Sequence, residues 1–220
     1  MRIENKNIIF LHPAKTGGSS IERALAYNFL VDYKFGDWKQ ADRKHLLGMD
    51  ALLFRRQKID PSITYNGGIY LQHIDLKGLS LLEIDYKRYS TCTSVRNPYT
   101  RLCSCFFYNA KDRVFDSFED FVFNGLEKIV QSSIQNKTAL NHFAPQYMYC
   151  EDSDGYTVNN VVRQENLNAD VKALWGINVT ERIAETSRGR GNYMDMYSAK
   201  TKDVVYQLYK EDFRLLGYNK

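Results

Sequence analysis

An α/β domain with a mostly parallel sheet flanked by helices is the fold this sequence predicts, and three observations predict it. Two separate stretches, Ile8 to Phe29 and Tyr89 to Phe107, each pass from a strand-like run through a short polar loop into a segment of helical periodicity. Strand-like and helical segments alternate along the chain, the pattern of a sheet covered on both faces with its ligand crevice at the strand ends. The 220 residues suit one domain, residues 1–220, with enough chain for a sizeable core.

Composition narrows the function classes. Hydrophobic residues at 44% and charged residues at 25% are ordinary for a globular protein and argue against disorder. A net charge of +4 suits anionic ligands but is too small an excess to indicate nucleic-acid binding. The 16 tyrosines and 12 phenylalanines serve chiefly to fill a core, with room for a few to line a sugar or adenine site. Met1 to Lys6 is polar and the apolar run after it is far too short for a signal sequence or a membrane span, so the expectation is a soluble, cytoplasmic chain. Cys92, Cys103, Cys105 and Cys150 show neither a disulfide framework nor zinc-ligand spacing, consistent with reduced, buried thiols.

Taken in order, Ile8-Ile9-Phe10-Leu11 reads as a buried strand, and Ile21, Ala24, Leu25 and Phe29 recur at helical spacing. Between them lies His12-Pro13-Ala14-Lys15-Thr16-Gly17-Gly18-Ser19-Ser20. Adjacent glycines allow a tight turn whose backbone N–H groups point into one concavity. Ser19 or Ser20 is expected to cap the helix, whose positive dipole end faces the same space, and Lys15 adds a full charge. This is a loop for a phosphate-like anion. The lysine precedes the glycines, the reverse of the nucleotide-triphosphate loop.

Charged and apolar residues from Asp32 to Ser62 predict a short helix at Leu46 to Phe54, ended by Pro61, with His45 in a surface or packing role. Ile69-Tyr70-Leu71 is strand-like, and His73 is expected to emerge from its end, where a side chain reaches a cleft; a packing role is the other reading of this histidine. Tyr89 to Val95 is the next strand, and Pro98 is pre-set for the first turn of the helix that follows it. In that helix Tyr99, Leu102, Cys103, Phe106 and Phe107 share one face, leaving Arg101 and Ser104 on another. Asp116 to Val130 reads as one amphipathic helix capped by Ser117. Val158 to Arg163 is a strand, a helix from about Asn168 stops at Gly176, and Lys200 to Leu216 is a tail helix.

The first loop resembles the 5′-phosphosulfate loop of sulfotransferases, in the Pro-Lys-Thr-Gly-Gly-Thr-Ser form of the carbohydrate branch, with Ala14 where the proline usually stands. The second junction, Val95-Arg96-Asn97-Pro98-Tyr99-Thr100-Arg101-Leu102-Cys103-Ser104, resembles that family's 3′-phosphate motif, from which Thr100 and Cys103 depart. The two occur in the family's order, roughly 80 residues apart. Asn141 to Gln146 is similar to a His-x-x-Pro-Gln segment of the family, and Tyr209 to Tyr218 to its C-terminal ending. Arg163 to Leu167 is similar to its Arg-Phe-Glu-Asn-Leu segment, with Gln164 in place of the aromatic.

The resemblance implies a P-loop-kinase-like sulfotransferase fold and 3′-phosphoadenosine 5′-phosphosulfate (PAPS) as donor, with no metal. It implies that Lys15, Thr16, Gly17, Gly18, Ser19 and Ser20 hold the donor's 5′ side, and that Arg96 and Ser104 hold its 3′-phosphate. It implies that the basic loop from Ser187 to Tyr193 closes over the donor nucleotide, with Arg188 or Arg190 contacting its 3′-phosphate; a solvated surface loop is the alternative. His73, 23 residues before Arg96, matches the histidine that serves as base in the uronyl 2-O group. By the resemblance His142 and Gln146 touch the acceptor or help shape the cleft; the alternative is that Pro145 simply organises a turn. Arg163 and Glu165 are a structural ion pair or part of a site.

The expected reaction moves a sulfuryl group to a hydroxyl of an acceptor, a glycan or small hydroxylated metabolite, with His73 as base and Lys15 stabilising charge. The competing classes are a phosphoryl-transfer enzyme of related fold and a non-catalytic nucleotide-binding protein. No motif specifies the acceptor's identity or an oligomeric state.

Overall fold

The computed structural model describes residues 1–29, 64–65, 68–69, 73–81, 83–108, 115–136, 142–180 and 192–220. His45, the expected helix at Leu46 to Phe54, and the loop carrying Arg188 and Arg190 lie outside them. In chain order the strands are β1 (Arg2–Ile3), β2 (Ile8–Leu11), β3 (Thr64–Tyr65), β4 (Gly68–Ile69), β5 (Ser90–Val95) and β6 (Asn160–Arg163). The helices are α1 (Gly18–Phe29), α2 (Leu76–Leu81), α3 (Pro98–Tyr108), α4 (Phe118–Asn124), α5 (Leu126–Asn136), α6 (Leu167–Trp175), α7 (Ala199–Leu208) and α8 (Lys210–Leu216).

The main sheet has the order β1-β2-β5-β6, with β2, β5 and β6 parallel and β1 antiparallel at the edge. Every residue of β2 is buried, as is β5 from Thr91 onward, because helices cover both faces. Alternation sorts the side chains. Ile8 and Phe10 pack with Ile21 and Leu25 of α1 and Val171 of α6, whereas Ile9 and Leu11 pack with Leu76 and Leu79 of α2 and with Tyr149. A third cluster joins α3, α4, α7 and α8 around Phe106, Phe121, Tyr209 and Phe213. Leu11 lies opposite Thr93, so the carboxyl ends of β2 and β5 open side by side. Both predicted anion junctions start there.

Four expectations are corrected. First, α1 begins at Gly18, before either serine, and the Gly17 carbonyl accepts from the amides of Ser20 (3.1 Å) and Ile21 (3.3 Å). Ser19 and Ser20 therefore lie within the first turn. Second, Ile69, the one described residue of the expected strand Ile69-Tyr70-Leu71, lies in β4, which pairs with β3 in a separate two-stranded sheet and not in the parallel one, and His73 stands in a turn before α2. Third, the helix expected over Asp116 to Val130 is two. Ser117 caps α4, its hydroxyl accepting from the Asp120 amide at 3.0 Å. The chain breaks at Gly125, where a Cβ would lie 2.1 Å from the Phe115 ring. Fourth, the tail helix breaks at Tyr209, whose hydroxyl donates to the Phe143 carbonyl at 2.8 Å. Asp212, in the short helix that follows, is fully buried.

Candidate functional site

The first junction is shaped by its backbone. Lys15 (φ 65°) and Gly17 (φ 86°) are both left-handed, which lets the chain fold back on itself before α1 begins. Any Cβ at Gly18 would meet Cδ2 of His12 at 2.0 Å, so this position admits only glycine while His12 stays in place. With the Ser20 and Ile21 amides given to Gly17, the Gly18 and Ser19 amides stand at the positive end of the helix dipole, an arrangement that suits an anion. Thr16 is fully buried; its hydroxyl donates to the Pro13 carbonyl (2.7 Å) and so must accept from Ser94 Oγ (2.6 Å) on β5. The hydroxyl anchors the loop to the sheet, and what Thr16 offers a ligand is its amide.

The second junction is assembled from distant segments. Asn97 caps α3, its side-chain oxygen accepting from the amides of Tyr99 (3.0 Å) and Thr100 (3.4 Å), with Pro98 in the first turn. Arg96 Nε donates to Thr100 Oγ1 (3.0 Å), Nη1 to the Lys15 carbonyl (3.4 Å), and the guanidinium stands 5.6 Å from the Tyr193 ring centre. Gln146, fully buried, accepts from the Arg96 amide (2.8 Å) and donates to the Arg96 carbonyl (2.9 Å). Asp212 in turn accepts from the amides of Gln146 and Tyr147, both at 2.9 Å. Glu165 accepts from the Asn97 amide (2.7 Å) and from the Tyr218 hydroxyl (3.0 Å), and among the described residues it makes no ion pair with Arg163. Of the two roles open to Gln146, supporting the cleft is the one its contacts fill.

Arg101 joins the two junctions from beneath. It is 2% exposed, and it donates from Nε to the Ala14 carbonyl (2.9 Å) and from Nη2 to the His142 carbonyl (3.1 Å). Ser104, one turn further along α3 and 1% exposed, is also interior. Three histidines converge beside the first loop: the His73 ring is edge-on to His12 (4.8 Å) and to His142 (5.2 Å). His73 Nδ1 is 2.6 Å from the His12 carbonyl oxygen. A carbonyl only accepts, so Nδ1 carries the proton and the basic lone pair is on Nε2. Behind this group Nδ1 of His12 stands 3.1 Å from the buried Glu22 carboxylate.

Burial dominates the electrostatics. It holds His73 well below the usual histidine range, reinforced by His12, His142 and Arg101, and it lowers His142 to about 4. Both are neutral near pH 7. Burial likewise lowers Lys15, an effect opposed by Cys105 and increased by Arg96; it also lowers Arg96. Among the described residues no carboxylate lies within ion-pair distance of either cation, and no cluster of His, Cys, Asp and Glu could hold a metal ion.

The structure thus brings together Lys15, the loop amides, Arg96 and His73. Sequence reasoning passed over Arg101, Asp212, Tyr108 and the His12–Glu22 pair. An arginine inside an otherwise apolar helix was the available signal for Arg101; nothing local marks Asp212, whose role rests on a partner 66 residues away.

A glycine loop after one parallel strand and an arginine junction after its neighbour set two groups of donors at the strand ends of an α/β protein, where such folds bind their ligands. The family model described as "Sulfotransferase family" matches residues 1–219, and the chain belongs to that family. It is therefore an enzyme that moves a sulfuryl group to a hydroxyl acceptor, with PAPS implied as donor by the family. No curated protein matches the chain, and no solved structure matches it.

Proposed function

We propose that this enzyme transfers the sulfuryl group of PAPS to a hydroxyl of a carbohydrate acceptor, with His73 as general base. The observation that supports the donor reading is the pair of half-buried cations, Lys15 and Arg96, neither of which forms an ion pair among the described residues. An anion with two charged ends supplies what each lacks. The loop amides from Thr16 to Ser19 and Lys15 take the 5′ side, and the Arg96 fork takes the 3′-phosphate. Ser104 lies on α3, the helix that Arg96 precedes, and the resemblance assigns it to the same 3′-phosphate. A cavity of about 360 Å³ lined by Ser20, Arg23, Ala24, Tyr27 and Asn178 adjoins the loop and suits the purine.

The donor supplies a sulfuryl group on a phosphate leaving group. His73 Nε2 accepts the acceptor's hydroxyl proton as the new O–S bond forms and the S–O bond to the phosphate breaks. Lys15 and the amides stabilise the charge that develops on the departing phosphate. Tyr108, 52% exposed beside His142, gives the acceptor side an aromatic wall suited to a sugar ring. All four thiols are free and suit a reducing compartment such as the cytoplasm.

Calorimetric titration with adenosine 3′,5′-bisphosphate and with ATP tests the donor, and turnover of PAPS with glycan and small hydroxylated acceptors tests the reaction. Selective binding of the bisphosphate together with turnover of a glycan is expected. Preference for ATP sinks the donor reading, and binding without turnover of any acceptor sinks the assigned reaction.

A further inference from the structure

Arg101 spans the two halves of the crevice. Its Nε donates to the carbonyl of Ala14, the residue before Lys15 (2.9 Å), and its Nη2 to the carbonyl of His142 (3.1 Å), whose ring lies edge-on to His73 at 5.2 Å. Cys105, one turn further along α3, donates from Sγ to the same His142 carbonyl at 2.9 Å. Ala14 and His142 stand 87 and 41 residues from Arg101 in the chain, so α3 ties together two segments that no local pattern joins. The guanidinium is 2% exposed and forms no ion pair among the described residues; Asp212 is a buried carboxylate that feels its charge from beyond ion-pair distance. Burying an ion without a counter-ion in contact is costly, and a filler of this space needs no charge. What the arginine supplies is a planar fork and a charge beside the histidines.

We propose that Arg101 is a positioning residue for the transfer: its fork holds the donor loop and the histidine group in one geometry, and its charge acts on the proposed base. The proposal rests on the reading of the loop as donor site and of His73 as base. With the carbonyl ahead of Lys15 and the carbonyl of His142 on one guanidinium, the departing phosphate and the base keep their separation while the sulfuryl group moves. The charge adds to burial, His12 and His142 in holding His73 below the usual histidine range, which keeps its lone pair free. The other titratable groups around His73 are Glu22 of α1 behind His12, Asp75 at the start of α2, and the Tyr149 hydroxyl, which donates to the His73 carbonyl at 2.8 Å; Lys15 acts on His142. Substituting Arg101 leaves all of these in the chain.

Arg101→Lys keeps the charge without the fork, and Arg101→Gln keeps a neutral donor without the charge. Both are compared with the parent per folded molecule, with the folded fraction taken from urea unfolding. For Arg101→Lys, kcat with PAPS and the glycan that the parent sulfates should fall about 10-fold or more, because small misplacements are costly in a positioned reaction. Adenosine 3′,5′-bisphosphate should bind within about 3-fold of the parent, and His73 should titrate as it does there. For Arg101→Gln the loss in kcat should be at least as large, and the His73 midpoint should rise, read from ¹³C-labelled histidine with His73 assigned by its loss in His73→Ala. The acid limb of the pH–rate profile should move to higher pH with it. A part played in folding alone lowers the urea midpoint and leaves kcat per folded molecule and the His73 titration at parental values. Parental kcat in Arg101→Lys, or an unmoved His73 midpoint in Arg101→Gln, therefore overturns the proposal while leaving the donor and base readings intact. If Arg101→Gln does not fold, the kcat of Arg101→Lys decides alone. A parent that does not bind the bisphosphate or sulfates no glycan overturns the reading beneath the proposal, and the proposal with it.

Discussion

At the junction of β2 and α1 the chain folds upon itself: Lys15 and Gly17 take left-handed conformations, Gly18 lies against His12, and Thr16 bonds back to Pro13. At the junction of β5 and α3, by contrast, no residue from Arg96 to Ser104 has positive φ, and the supports come from Gln146, Glu165 and, behind Gln146, Asp212. Both end parallel strands and both present a cation. The first is built from local conformation and the second from long-range hydrogen bonds. Damage to the first should therefore appear in chemistry and damage to the second in stability and 3′-phosphate recognition.

The largest effect should come from the group the first junction supports. His73→Ala should lower kcat by about 10²- to 10⁴-fold while affinity for adenosine 3′,5′-bisphosphate stays near the parent's, because a general base acts in the transition state. His142→Ala is the control. The acid limb of the parent's pH–rate profile belongs to the same test. An ordinary imidazole gains its proton near ~6.5, but burial and the neighbouring His12, His142 and Arg101 depress His73, so it remains a neutral base at lower pH. Activity should persist below pH ~6.5 and fall only at greater acidity. Near-parental turnover by His73→Ala overturns its assignment as base, and loss by His142→Ala at the same time moves the base to His142.

Asp212→Ala tests the claim that the second junction is held from afar. It strands the amides of Gln146 and Tyr147, and a buried donor left unpaired costs about 1–3 kcal/mol, so a loss of about 3 kcal/mol or more should appear in urea unfolding. Bisphosphate affinity should fall too, because Gln146 bonds both the amide and the carbonyl of Arg96. Lost stability with unchanged bisphosphate affinity would show that Asp212 supports the fold without supporting the site.

Arg96→Ala is the smallest and most selective change. Bisphosphate binding should weaken by about 1.5–3 kcal/mol, whereas an analogue lacking the 3′-phosphate should bind as it does to the parent. Equal weakening of both ligands would place Arg96 at the 5′ side and remove the division of labour between the junctions.

Sequence alone determined the features whose physics closes within a few residues. The glycines of the first loop, the Ser117 cap, the stop at Gly176 and the cation at each junction depend on local dihedrals and on side chains reaching their own backbone. Tertiary structure decided the rest. It set Thr16's hydroxyl against Ser94, placed Arg101 under both Ala14 and His142, and brought His12, His73 and His142 into contact. It also broke two expected helices, at Gly125 and at Tyr209, where the Phe115 ring and the Phe143 carbonyl impose needs that helical periodicity does not record. A buried polar group must find its partner wherever the chain path brings one, and for Gln146 that partner, Asp212, is 66 residues away, beyond the reach of any local pattern.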